Sequence, residues 1–174
     1  MKNRILLPFY IGIITLLTSC GFTVGYSLSG ASIPPEAKTF SVAFFPNNAA
    51  MVAPILSSEF TNALKDIFSR RTALSQVSEG GDFAFEGEIV GYSSVTSSVT
   101  SGTTNDYGSL NRLTITVNVR FTNLLDEKAS FRRSFSGFTD YDASLLLTEV
   151  EGELITEIVE QLVTDIFQAA ASNW

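Results

Sequence analysis

No histidine occurs among the 174 residues, and cysteine and tryptophan occur once each. Histidine is the most usual general base near neutral pH and a common metal ligand, so its absence weakens the case for an enzyme. A lone cysteine excludes an internal disulfide and thiolate metal clusters. Positive charge is also scarce, with eleven Lys and Arg against eighteen Asp and Glu. Nucleic-acid binding needs a basic footprint and is disfavoured. No phosphate loop, dinucleotide fingerprint, G-x-S-x-G elbow or internal repeat is present. Asp140-Tyr141-Asp142 could bind a metal or act as paired carboxylates, but no second ligand cluster accompanies it. A strand-end turn capping the last helix accounts for it more simply. We therefore expect no catalytic residues, no metal and no cofactor.

What is present begins with Lys2 and Arg4, followed by an almost wholly apolar run from Ile5 to Leu17. That run falls short of the ~20 residues a membrane-spanning helix needs, and the layout is that of an export signal. Leu17-Thr18-Ser19-Cys20-Gly21 then resembles the bacterial lipobox. The resemblance implies cleavage before Cys20, a diacylglycerol thioether on its sulfur, and acylation of the new N-terminus by a fatty acid such as palmitate. A single acyl chain binds membranes only marginally, whereas several make a stable anchor. Phe22-Thr23 shows no acidic retention residue, which by resemblance to sorting patterns favours the periplasmic leaflet of the outer membrane. The expected organisation is a signal peptide at 1–19, a lipidated tether with a first short strand at 20–36, and one domain at 37–174. With the signal removed, the balance is nine basic against eighteen acidic residues.

Within the tether, Gly25 to Gly30 reads as the short strand. Lys38 to Phe45 alternates, with Phe40, Val42 and Phe44 on one face. Pro54 suits the first position of a helix whose stripe is Leu56, Phe60, Leu64, Ile67 and Phe68 and which ends near Arg70-Arg71. A brief strand at 72–77 and a Gly80-Gly81 turn follow. Residues 82–100 read as extended, with Phe83, Phe85 and Ile89 on one face; 93–109, rich in Ser, Thr and Gly, reads as strand ends and a long mobile hairpin tip. Leu110 to Thr122 alternates strictly, with Leu113, Ile115, Val117, Val119 and Phe121 on one side. The return strand, 129–139, carries Phe131 and Phe135, and Arg133 falls on their side: either the strand bulges or its end is exposed. A helix from about 143 to 171 presents the stripe Leu147, Val150, Leu154, Ile158, Leu162 and Ile166. Two amphipathic helices and one apolar sheet face make a two-layer α+β sandwich. Its mixed, mostly antiparallel sheet should have four to five strands and carry both helices on one face. The strands flanking the first helix would pair in parallel through a right-handed crossover.

Taken together, Cys20-Gly21, the segment Tyr26 to Glu36, Phe45-Pro46-Asn47, Phe85 to Tyr92, Asn111 to Val117, Val119 to Asn123, Glu153 to Val163 and Ser172-Asn173-Trp174 resemble the LptE-type lipopolysaccharide-assembly lipoproteins, in the version found in Bacteroidetes-type bacteria. The resemblance implies a non-catalytic plug and assembly factor for the outer-membrane β-barrel LptD, with lipopolysaccharide as a further contact. From the residues themselves, Arg112, Arg120 and Arg132 are the candidates for phosphate, since arginine binds it in bidentate fashion. The alternative is that they are solvated strand residues paired with Glu86 or Glu88. Ser93, Thr96 and Thr100 in the polar tip, with Thr114, Thr116 and Asn118 on the polar strand face, are candidates for partner contact. A generic envelope scaffold or small-ligand module of the same fold is the rival reading.

Overall fold

The computed structural model of the protein describes residues 33–51, 53–98 and 109–171. The signal, Cys20 and the Gly25–Gly30 segment lie outside these residues, as does Thr100. Five strands form one mixed sheet: β1 (Thr39–Val42), β2 (Ser75–Gln76), β3 (Phe83–Ser98), β4 (Ser109–Asn123) and β5 (Phe131–Asp142). Their spatial order is β2-β1-β3-β4-β5. Helix α1 (Leu56–Arg71) connects β1 to β2, which pair in parallel as expected, and α2 (Leu147–Ala171) closes the fold. Unlike the antiparallel β3-β4-β5 meander, β1 also pairs in parallel with β3.

Both helices lie on one face because the apolar positions leave no alternative. Phe40, Val42, Phe83, Phe85, Ile89, Leu113, Ile115, Val117, Val119 and Phe121 point to one side and are buried. Leu56, Phe60, Leu64, Ile67 and Phe68 of α1 meet them there, as do Ile155, Ile158, Leu162, Ile166 and Phe167 of α2. Phe68 is the hub. Its ring lies 5.7 Å from Phe40, 4.6 Å from Phe85 and 5.1 Å from Phe167. Burial of each such ring contributes roughly 1.5–3 kcal/mol. Among the described residues, no helix is long and apolar enough to cross a membrane.

Several local expectations are corrected. Phe44 does not join the core: it is 63% exposed and Phe45 is buried in its place. Alternation stops at Val42 because the Phe45 N–H donates to Thr61 Oγ1 and its ring packs edge-on against Phe60 at 5.0 Å. β2 keeps only two residues of the expected 72–77, since Thr72 is spent capping α1: both its N–H and its hydroxyl donate to the Phe68 carbonyl. α1 begins at Leu56, after a turn holding Pro54. α2 begins at Leu147, later than 143. Asp142 ends β5 and accepts from the Ser144 N–H, so it caps the intervening turn and not the helix, while Glu149 reaches back to the Leu146 N–H.

The strand ends expected within 93–109 are present, and the rest of that stretch, 99–108, lies outside the described residues. Ser93 to Ser98 pair in register with β4, from Thr114 back to Ser109. A β-bulge between Ile89 and Gly91 precedes this extension. The extra residue resets the alternation, so Tyr92 turns inward although Ile89 already did.

Candidate functional site

The face of the sheet that no helix covers is polar and continuous. β4 contributes Arg112, Thr114, Thr116, Asn118, Arg120 and Thr122, alternating with its buried residues. Register places Glu86, Glu88 and Ser93 beside them on β3, and Arg132, Ser134, Ser136, Phe138 and Asp140 on β5. The helices occupy the opposite face, so these side chains stand on a rigid, solvent-facing floor.

Two sites form at opposite ends of β4. At one end Arg120 lies directly opposite Arg132 and pairs with Glu86 at 3.5 Å. With Pro46, Gly87, Glu88 and Asn118 they line a shallow depression of about 310 Å³. Gly87 in its wall is required by the core behind it, since a Cβ there would point inward and meet the Asn118 carbonyl and the buried Phe45 ring. Glu88 is held by the Asn48 amide at 2.7 Å. Arg132 makes no ion pair among the described residues. Arg120 is therefore the surface strand arginine paired with Glu86, as the alternative reading had it, and Arg132 beside it is the guanidinium left to meet a ligand bearing phosphate or carboxylate.

Arg112 stands eight residues from Arg120, about 27 Å along an extended strand, and serves a different purpose. Its Nε and Nη2 donate to the two oxygens of Asp140 at 2.7 and 2.8 Å, and its guanidinium stacks 4.0 Å from the Phe138 ring. That bond lowers the Asp140 carboxyl below its ordinary range and raises the guanidinium in turn. The pair neutralises the charge needed for an incoming anion.

The structure thus brings Arg120 and Arg132 together and separates Arg112 from them. Thr114, Thr116, Asn118 and Ser93 share the open face; the Thr116 and Ser136 hydroxyls lie 3.1 Å apart. Thr96 faces the other way, its hydroxyl on Asn111 Oδ1 at 3.1 Å, because the bulge has reset its parity. Arg133 resolves to the exposed-end alternative. β5 pairs with β4 without a bulge, and Arg133 lies over the Phe131 ring at 5.0 Å. Asp140 and Asp142 hold an arginine and a turn respectively, and do not form a carboxylate pair.

Sequence reasoning missed Pro46 and Asn48 at the rim, which reach the site through the parallel bridge Asn47–Ile89. No local pattern announces that contact. It also missed Tyr92, whose hydroxyl donates to Glu151 at 2.5 Å beneath the start of α2. Burial, then this bond, pushes the phenol above its ordinary range.

Comparison with known proteins adds a family match. The model of the family LptE, described as lipopolysaccharide-assembly, matches residues 37–170. No curated protein matches. Among solved structures, the hypothetical protein CT253 from Chlamydia trachomatis is 9% identical with a TM-score of 0.52, covering 79% of this chain and 99% of that one. A homolog of a neuraminyllactose-binding hemagglutinin from Helicobacter pylori is 9% identical at 0.50, covering 82% and 88%. At these identities they share the fold alone. The rare lipoprotein B from Shewanella oneidensis is 14% identical at 0.46, covering 74% and 92%.

Proposed function

The chain belongs to the LptE lipopolysaccharide-assembly family, and from that membership we propose that it is an acylated lipoprotein that partners an LptD-like β-barrel at the outer membrane. Cys20 would carry the diacylglycerol and N-acyl chain that hold the domain at the periplasmic leaflet. The role is one of binding and assembly, not catalysis. The polar side chains Ser93, Thr114, Thr116 and Asn118 would meet the barrel. Arg132, with Arg120 beside it, would meet phosphate on the lipopolysaccharide, and Arg112 would keep the distal end of that face rigid.

The observation that carries this reading is the family match over the whole described domain, joined to a helix-free sheet face with two adjacent arginines. A C-terminally tagged lipoprotein, purified from detergent-solubilised outer membrane beside a Cys20→Ala control, provides the test. One large β-barrel should be recovered in near-equal amount with the acylated form. Arg120→Glu combined with Arg132→Glu should reduce co-purifying lipopolysaccharide while the barrel is still recovered. Absence of any barrel would refute the partnership; unchanged lipopolysaccharide would refute the arginine assignment.

A further inference from the structure

β5 is an edge strand of twelve residues, and among the described residues nothing pairs with its outer side. Its hydrogen-bonding parity follows from the rest of the sheet. The Ala43 N–H donates to the Phe85 carbonyl and the Ile89 N–H to the Pro46 carbonyl, so the odd residues of β3 up to the bulge bond toward β1. The even residues there consequently bond toward β4, as at Glu86–Arg120, which leaves the odd residues of β4 for β5, as at Val119–Arg133. Ala143, whose N–H donates to the Ser109 carbonyl, continues the same parity. The main-chain groups of Arg132, Ser134, Ser136, Phe138 and Asp140 therefore point outward.

Proteins blunt such edges with proline, lysine or a bulge, because an open row of donors and acceptors recruits another strand. β5 has no proline, lysine or bulge. Its charges are instead segregated, with Arg132 and Arg133 near the start and Asp140 and Asp142 at the end. A strand so arranged is complementary to its own reverse.

We infer that β5 pairs antiparallel with β5 of a second copy about a two-fold axis through Ser136, joining two sheets into one of ten strands. In that register Arg132 faces Asp140 of the second copy on the open face, joining the Arg112 that already holds that carboxylate. Arg133 faces Thr139, whose hydroxyl already donates to Glu157 at 3.1 Å, so a second cation–carboxylate contact forms on the helix face. Five outward residues per strand supply about ten main-chain hydrogen bonds. The anchor permits the arrangement, since the stretch from Cys20 to Ile33 can extend about 45 Å. This state belongs to the chain outside a barrel, and it stands or falls independently of the barrel partnership.

The test uses the acylated full-length protein, whose only native cysteine is the one read as lipid-modified. Across the axis two Ser136 Cα atoms would be about 5.5 Å apart, within disulfide reach, whereas two Ser134 residues would be separated by about 13 Å and could not be bridged. Under mild oxidation Ser136→Cys should give a covalent dimer and Ser134→Cys alone essentially none. Mixing Ser134→Cys with Phe138→Cys should restore it. Ser136→Pro removes an outward N–H without touching the β4 ladder; its protein mass in detergent should halve while its circular dichroism is unchanged. Failure of Ser136→Cys to cross-link, or equal cross-linking of Ser134→Cys, overturns the proposal. A disulfide from position 136 to a barrel strand, with none between chains, also overturns it and assigns the edge to the barrel.

Discussion

Asp82 shows how much a single partly exposed side chain can organise. Its Oδ2 accepts from the Lys38 N–H, the Thr39 N–H and the Thr39 hydroxyl at 2.8, 2.9 and 3.0 Å, and its own N–H donates back to Thr39. These bonds, the Lys38 main chain first, hold its carboxyl below the ordinary range. A carboxylate whose folded value is depressed stabilises the fold above its unfolded pKa, about 3.9. That contribution is lost as pH falls through the lower, folded value. Asp82→Ala should therefore lower the urea midpoint clearly at pH 7, and the gap to the parent should narrow below pH 4. Chemical denaturation at several pH values checks this; a gap that does not depend on pH would mean that the ionised carboxylate is irrelevant to the clamp.

Among the elements, α2 is the most legible in the sequence. Its stripe from Leu154 to Phe167 is buried as the 3.6-residue period requires, because long periodic segments leave little freedom in what they cover. Only its start escapes the pattern, since Asp142 and Ser144 form a self-contained turn that composition cannot distinguish from a cap. The strands are legible wherever alternation runs unbroken, as in β4. They are obscured where a distant partner intervenes: Thr61 turns Phe45 inward, and the bulge in β3 reverses the facing of Thr96. Within α2, Gly152 is exposed and a Cβ there would meet nothing within 4 Å. Gly152→Ala should stabilise the protein by about 0.5–1 kcal/mol through the unfolded chain's lost freedom. Thermal unfolding would register this as a rise in Tm, and no rise would mean that residue 152 is not held in helix.

At the scale of the whole molecule, both helices meet β1 and β3 at Phe68, so one truncation tests whether they form a single cooperative unit. Phe68→Ala should cost about 3–5 kcal/mol, the range for removing a large buried ring. It should move the unfolding transitions followed by sheet and by helix signals together; separate transitions would show that α1 and the sheet are not coupled through this ring. The placement of the arginines, unlike the core, is only half readable. Alternation puts Arg112 and Arg120 on one face, but their separation along β4 and the engagement of Arg112 by Asp140 and Phe138 depend on which strand lies alongside, and that is a property of the assembled sheet.

The bulge between Ile89 and Gly91 also bears on how this chain can change over generations. Val90 is the extra, unpaired residue: without it Ile89, Gly91 and Tyr92 would stand opposite Val117, Thr116 and Ile115 in simple alternation, and Tyr92 and Ser94 would keep their inward facing and their bonds to Glu151 and Tyr141. Val90 is thus the one paired-length position of β3 that can be lost without turning its neighbours, whereas a single gain or loss elsewhere in that length would send every residue beyond it to the other face. Descendants that alter this hairpin elsewhere should do so two residues at a time, or compensate on β4, keeping inherited length even where the Ser and Thr side chains themselves are free to drift.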